Sequence, residues 1–424
     1  MQKNQESVIS LFFAFLVIIL LILLSGSITI ALIVGLFTYF LFLPLSYPLI
    51  RKKLHRSDLA DKIFFARTED NWYLPLHYHE ARYPRKKALP VILVHGIAQN
   101  KYALDLDEFH SLAVFLKVRG FPVFVVSLRG SGLAFFKGSK QKGKYFTFDD
   151  HVLYDAPAII RKVIELTEAP AVNWVGFSLG GMIGYGICGM GLPESKKIQT
   201  LITLGSPGKA DYINNKVLQH VIQHPWINKL VPLRSGSRLI SPLGKFLFTP
   251  MDRFLYNPEN TKRKTIKDLL ANCIEPINQG IIDQFSLWAK TKQELSLDKT
   301  INYRKNLENI KIPTLLIAGS VDHVVPVSQI RFVYETIKSP NKKFVIAGKR
   351  YQFKEDYGHL CLSVGEYAPE EIFPIILNWL ETHGMEKPKI IRTWIQRWKR
   401  KRELKKVLKQ SIKSNRQQNS FENK

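Results

Sequence analysis

Gly176-Phe177-Ser178-Leu179-Gly180 sets a serine between two glycines, directly after the apolar run 172–175 and before the helix-like Met182-Ile183-Gly184-Tyr185. Small residues at 176 and 180 give a strand room to turn sharply into a helix, which stands the Ser178 hydroxyl on a strained, exposed bend. At the start of that helix the free N–H groups and the dipole favour developing negative charge. Serine alone is a weak nucleophile, so the chemistry also needs a base and a carboxylate to orient the base. Both occur downstream. Asp322 lies in Gly319-Ser320-Val321-Asp322-His323-Val324-Val325-Pro326, a loop after the apolar run 314–318, and His359 lies in Asp356-Tyr357-Gly358-His359-Leu360. Together they predict acyl transfer through a serine nucleophile.

A fourth part is His95-Gly96-Ile97-Ala98-Gln99-Asn100, straight after the run 91–94. The amides of Ile97 and Leu179 are the expected pair of oxyanion donors, each worth about 2.7–4 kcal/mol in the transition state. His95 is then structural. His110 and His323 are read as surface or supporting histidines, Asp149 and Asp150 as the acidic start of a helix, and Glu355 and Asp356 as weaker orienting carboxylates than Asp322, because neither follows a central strand.

The elements that must position these residues alternate along the chain. Strands are expected at 72–78, 91–94, 122–128, 172–175, 200–204, 314–318 and 343–347, with helices such as 109–118, 155–166 and 329–337 between them. Most of the strand runs are apolar throughout, as strands covered on both faces are. The pattern predicts an α/β fold with a mainly parallel central sheet and helices on both faces. From about 211 to 311 the alternation lapses into helix broken by prolines, which predicts a helical cap inserted into the fold. Trp226, Phe246, Phe248, Phe254, Tyr256 and Trp288 fall in this region and either wall an apolar tunnel or form the cap's own core.

At these motifs the sequence resembles the α/β-hydrolase superfamily over residues 70 to 385. Ser178, then Asp322, then His359 follows the superfamily's chain order, and Leu128-Arg129-Gly130-Ser131-Gly132 resembles its loop after the fourth strand. The segment ending at Pro326, with Tyr357-Gly358-His359-Leu360, is similar to the branch of acid-lipase-type and polyhydroxyalkanoate-synthase-type enzymes. Polyester synthases place cysteine at the elbow where this chain has Ser178, which favours hydrolysis or simple acyl transfer over polymerisation. Cys361 stands two residues past the histidine, where such relatives often carry aspartate.

Composition sets the outer limits. The 424 residues are 46% hydrophobic and 23% charged, which excludes a disordered chain. Cys188, Cys273 and Cys361 are scattered, without CxxC spacing, which excludes a disulfide framework and a cysteine-built metal site. No metal or organic cofactor is implied.

The charge is unusual: 61 Lys and Arg against 35 Asp and Glu leave +26, which points to an acidic partner. Residues 8 to 45 are apolar and uncharged, longer than the roughly 20 residues of one spanning helix. Ser25-Gly26-Ser27 interrupts them, so a transmembrane hairpin over residues 1–50 is expected, with segments at 8–24 and 28–47 and a single tilted anchor as the alternative. A basic linker follows at 51–69; its Arg51-Lys52-Lys53 favours a cytoplasmic catalytic domain. The hydrolase domain is expected at 70–387. The basic tail 388–424 carries Ile391, Trp394, Ile395 and Trp398 at helical spacing, which suits either an anionic lipid surface or a solvated charged tail. No nucleic-acid-binding pattern accompanies the charge. The expected function is a membrane-attached serine hydrolase cleaving a lipid, glyceride or thioester acyl group. An acyltransferase with the same triad, or a silent membrane-bound interaction protein, is the alternative.

Overall fold

The computed structural model describes residues 54–138, 142–209, 233–245, 250–386 and 402; the expected hairpin, most of the basic tail and parts of the cap lie outside them. Nine strands are described: β1 Lys62–Arg67, β2 Trp72–His79, β3 Val91–Val94, β4 Val123–Val126, β5 Phe135–Phe136, β6 Val172–Phe177, β7 Ile198–Leu204, β8 Thr314–Gly319 and β9 Lys342–Ala347. They form one sheet in the order β1-β2-β4-β3-β6-β7-β8-β9, with β5 on β2. Pairing is parallel from β4 through β3, β6, β7 and β8 to β9, and antiparallel where β2 meets β1, β4 and β5.

Strands β3, β4, β6 and β8 are buried at every position. Successive side chains on a strand point to opposite faces, so each apolar run feeds two cores. Ile92, Val94, Phe124, Val126 and Trp174 enter one; Val91, Leu93, Val123, Val125, Val175 and Phe177 enter the other. The helices that cover the faces divide in the same way. Helices α2 (Ala156–Thr167), α3 (Leu179–Met190) and α8 (Val327–Thr336) bury apolar faces in the first core, and α1 (Leu112–Val118) and α9 (Ala368–His383) in the second.

Between β7 and β8 the described residues hold helices and no strand: α4 Leu233–Ile240, α5 Pro250–Leu255, α6 Arg263–Asn272 and α7 Gln279–Thr291. This region is not a loose lid throughout. Trp288 is fully buried and packs edge-on against Phe148, and Asp149 accepts from Tyr303 Oη at 2.7 Å, Gln284 Nε2 at 2.6 Å and the Leu297 N–H at 2.8 Å. Asp149 therefore anchors the insertion as well as opening a short helix. Its three donors hold a carboxylate whose pKa burial still pushes upward.

All seven expected strands occur, with ends shifted by a residue or two. β1 and β5 are additions. β1 is an edge strand whose residues are largely exposed, so it lacks the apolar run that marks the others, and β5 has only two residues. Among the described residues no helix is long and apolar enough to cross a membrane.

The loop after β4 is pinned by Arg129, whose side chain is 1% exposed. It donates to Asp155 at 2.8 and 2.6 Å and to Asp70 at 2.7 and 3.1 Å, and His151 Nδ1 meets Asp155 at 2.7 Å. Removing one partner from a buried pair strands the other charge. Arg129→Ala is expected to lower unfolding free energy by about 3–5 kcal/mol, read from the urea midpoint; a change below about 1 kcal/mol would show that the network is not a structural pin.

Candidate active site

Ser178 joins the end of β6 to the first turn of α3 with φ 52° and ψ −116°, a conformation that a residue with a Cβ rarely adopts. The close packing that forces the bend also explains its glycines. A Cβ on Gly176 would lie 2.3 Å from the Gly180 carbonyl carbon, and one on Gly180 would lie 2.2 Å from the Val94 oxygen. The Ser178 N–H donates to Leu204 O at 2.8 Å, and its carbonyl accepts from Gly181 and Met182, so sheet and helix both clamp the residue. Ser178 is only 6% exposed.

His359 follows β9, and its Nδ1 lies 2.7 Å from Asp322 Oδ2. The other Asp322 oxygen accepts the N–H groups of Val324 at 2.9 Å and Val325 at 2.7 Å. These donors turn the loop after β8 around its own carboxylate. A carboxylate accepts, so His359 Nδ1 is the donor in this bond. The imidazole packs on Phe177, the residue before the serine, at 4.9 Å between ring centres. A Cβ on Gly205, the residue after Leu204, would lie 3.0 Å from His359 Nδ1. The backbone beside the serine and the histidine ring are therefore neighbours. Asp356 instead accepts from Ser320 Oγ at 2.8 Å, and Glu355 pairs with Lys349 at 2.8 Å. His110 bonds Asp107 at 3.1 Å, and His323 is exposed.

Of the two expected oxyanion donors, the amide of Leu179 is among the first four N–H groups of α3, which a helix leaves unsatisfied. The other donor, the Ile97 amide, belongs to the same peptide unit as the Gly96 carbonyl. His95 Nδ1 reaches that carbonyl at 2.7 Å, while its Nε2 accepts the Leu128 N–H at 3.1 Å. Because Nε2 accepts, Nδ1 is the donor, and the Gly96–Ile97 peptide plane is fixed by a neutral histidine. Burial holds the His95 pKa down to about 4. Ala98, at φ 56°, turns the loop away again. Ile97 and Leu179 line a cleft of about 30 Å³ closed on the cap side by Glu275, Ile277 and Ile281, room for one small group.

Glu275 and Asn100 were not singled out by the sequence. The Glu275 N–H donates to Ala98 O at 2.9 Å, and its carboxylate accepts from Asn100 Nδ2 at 2.8 Å and from the Gly132 N–H at 3.2 Å, and pairs with Arg234. One buried carboxylate thus ties the loops after β3 and β4 to the insertion. Before Pro276 it reads as an ordinary turn residue, and no spacing relates it to Asn100. Cys361 Sγ accepts the Asn257 N–H at 3.1 Å and contacts Thr261 Oγ1 at 3.2 Å, a buried structural thiol. Cys188 is also buried, with its pKa pushed up to about 12 by desolvation. Of the six cap aromatics, Trp226, Phe246 and Phe248 lie outside the described residues, and Trp288 belongs to the core.

A family model described as the alpha/beta hydrolase fold matches residues 90–365. A probable lipase of Schizosaccharomyces pombe is 26% identical over 165 residues, 36% of this chain and 35% of that protein. The poly(3-hydroxyalkanoate) polymerase subunit PhaC of Haloferax mediterranei is 22% identical over 326 residues, 72% of this chain and 61% of that protein. The chain thus spans about a third of the first relative and under two thirds of the second. A tear acid lipase-like protein of Mesocricetus auratus is 21% identical over 364 residues, 77% of this chain and 88% of that protein. Among solved structures, a hydrolase from Pseudomonas aeruginosa superposes with a TM-score of 0.50 at 17% identity, covering 76% of this chain and 99% of that one, a likeness of fold.

The buried neutral His95 sets a pH dependence. Its folded pKa lies below its ordinary value of 6.5, so the unfolded chain binds the proton first as pH falls. The stability it contributes is complete above pH 6.5 and lost as pH falls toward 4, on the order of 3 kcal/mol. Chemical denaturation across that window should give a shallower decline for His95→Asn than for wild type; parallel curves would show that His95 titrates normally.

Proposed function

Because the chain belongs to the α/β-hydrolase family, we propose that it is a serine hydrolase of the esterase and lipase type, attached to a membrane and acting on acyl esters or thioesters. His359 Nε2 takes the proton from Ser178 Oγ as the oxygen attacks the acyl carbonyl, and Asp322 balances the imidazolium that forms. The carbonyl oxygen becomes an anion received by the Ile97 and Leu179 amides. Collapse expels the alcohol or thiol, which takes its proton from His359, and leaves the acyl group on Ser178. Water, deprotonated by His359, then attacks that acyl group. The second tetrahedral anion releases the acid, and the proton returns to Ser178.

The observation that carries this reading is the 2.7 Å bond from His359 Nδ1 to Asp322, beside a serine held at φ 52°. The lipase relatives support an ester substrate, and the apolar residues 8–45 support a lipid one met at the bilayer. Similarity to a polymerase subunit favours one variation, in which an alcohol replaces water as the acyl acceptor. The basic linker at 51–53 supports a cytoplasmic position for the catalytic domain.

A panel of esters of graded acyl length, with and without an alcohol acceptor, tests the reaction. Wild type should turn over the esters, Ser178→Ala should not, and Asp322→Asn should lose about 10²–10⁴ in kcat with an unchanged unfolding transition. Equal rates for wild type and Ser178→Ala would leave a silent binding protein, and ester products with the added alcohol would identify a transferase. For the tail, deleting residues after Pro388 from a protein lacking residues 1–50 should weaken binding to anionic vesicles, most of all at low salt. Equal binding would remove the tail from the membrane reading.

A further inference from the structure

Glu275 lines the candidate oxyanion cleft together with Ile97 and Leu179, and it is only 2% exposed. Its N–H donates to the Ala98 carbonyl at 2.9 Å, one residue past Ile97, and its Oε1 accepts from Asn100 Nδ2 at 2.8 Å and from the Gly132 N–H at 3.2 Å. On the other side of Ile97, the Gly96 carbonyl is held by His95. The short segment that presents the Ile97 amide is therefore bracketed, with His95 fixing its start and Glu275 its end.

The same carboxylate brings a difficulty. An oxyanion formed in this cleft is a second negative charge beside a buried first one, and like charges repel most where water is excluded. The donors from Asn100 and Gly132 are neutral. Arg129 also lines the cleft, but its guanidinium is committed to Asp70 and Asp155. Among the described residues the cation in contact with Glu275 is Arg234 of α4, whose Nε and Nη2 both approach Oε2. The Arg234 side chain is 41% exposed, so water screens part of its charge; the Glu275 side chain, at 3%, depends on that partner.

We propose that Glu275 and Arg234 are paired positioning residues for the oxyanion. Glu275 fixes the loop that carries the Ile97 amide, and Arg234 cancels the charge that this tie places beside the developing anion. The insertion thereby completes the oxyanion site. This rests on the serine-hydrolase reading, because the pair has no such role without an anion on the acyl carbonyl.

The test uses the full chain and counts rates per site titrated to completion with a fluorophosphonate, so that unfolded protein does not enter. Arg234→Gln should lower kcat for the best ester of the graded panel about tenfold and leave KM within about twofold, because the ground-state ester carries no charge. Affinity for an alkyl boronic acid, whose boron takes up Ser178 Oγ and becomes a tetrahedral anion, should fall by about the same factor. Arg234→Lys should keep most of both. The deciding variant combines Arg234→Gln with Glu275→Gln. The amide keeps an acceptor for Asn100 and Gly132 but carries no charge, so kcat should recover about fivefold over Arg234→Gln alone. A merely structural tie predicts the reverse, since the second substitution loosens the insertion further. Wild-type kcat and boronate affinity in Arg234→Gln, a loss that falls on KM, or a double variant no faster than the single one would overturn the proposal and leave the serine-hydrolase reading standing. A wild type that neither turns over esters nor binds the boronate would overturn that reading, and the proposal with it.

Discussion

The bend at Ser178 is the constraint from which the rest of the site follows. A non-glycine residue at φ 52°, ψ −116° costs on the order of 1–3 kcal/mol and persists only where its surroundings over-determine it. Here the surroundings are a fully buried β6, a helix that begins at the next residue, and a neighbouring strand whose Val94 carbonyl touches the space where a Gly180 Cβ would be. Burial of apolar side chains on both faces of the sheet supplies the free energy that keeps the bend, at about 25 cal/mol per Å² removed from water. The fold stores strain at one atom's position and spreads its support over two cores.

A parallel sheet adds a second consequence. The carboxyl ends of its strands lie along one edge, so loops distant in sequence converge there. The candidate oxyanion loop follows β3, the elbow follows β6, the Asp322 loop follows β8 and His359 follows β9. Convergence alone does not orient them. His95 couples the loop after β3 to the loop after β4, its Nδ1 donating to the Gly96 carbonyl and its Nε2 accepting the Leu128 N–H, and Arg129 holds that second loop against Asp70 and Asp155. Glu275 fastens both loops to the insertion. The groups proposed for chemistry are few, and the polar contacts that aim them are more numerous.

Much of this was legible in the sequence, for a physical reason. Strands buried on both faces must be apolar throughout, so 91–94, 172–175 and 314–318 announce themselves, and the glycines at 176 and 180 mark a place where no Cβ fits. β1 was not legible because an exposed edge strand needs no apolar run, and β5 because two residues carry no period. The preference for Asp322 over Asp356 rested on its place after a central strand, and the structure puts His359 Nδ1 beside Asp322 while Asp356 bonds Ser320 and Lys349. Glu275 and Asn100 were invisible, since they meet each other across a long stretch of sequence and nothing in local patterning links them. Likewise Trp288 is an apolar residue in any composition count, and only packing against Phe148 separates core from tunnel wall.

In the proposed reaction, Ser178 carries a hydroxyl made nucleophilic by its place and its neighbours. The most direct measurement is active-site titration of the folded protein with a fluorophosphonate, read by intact mass and by mapping the modified peptide. One adduct per chain on Ser178, abolished by unfolding the protein first, is the predicted result. No adduct on folded protein, or one on another residue, would contradict it.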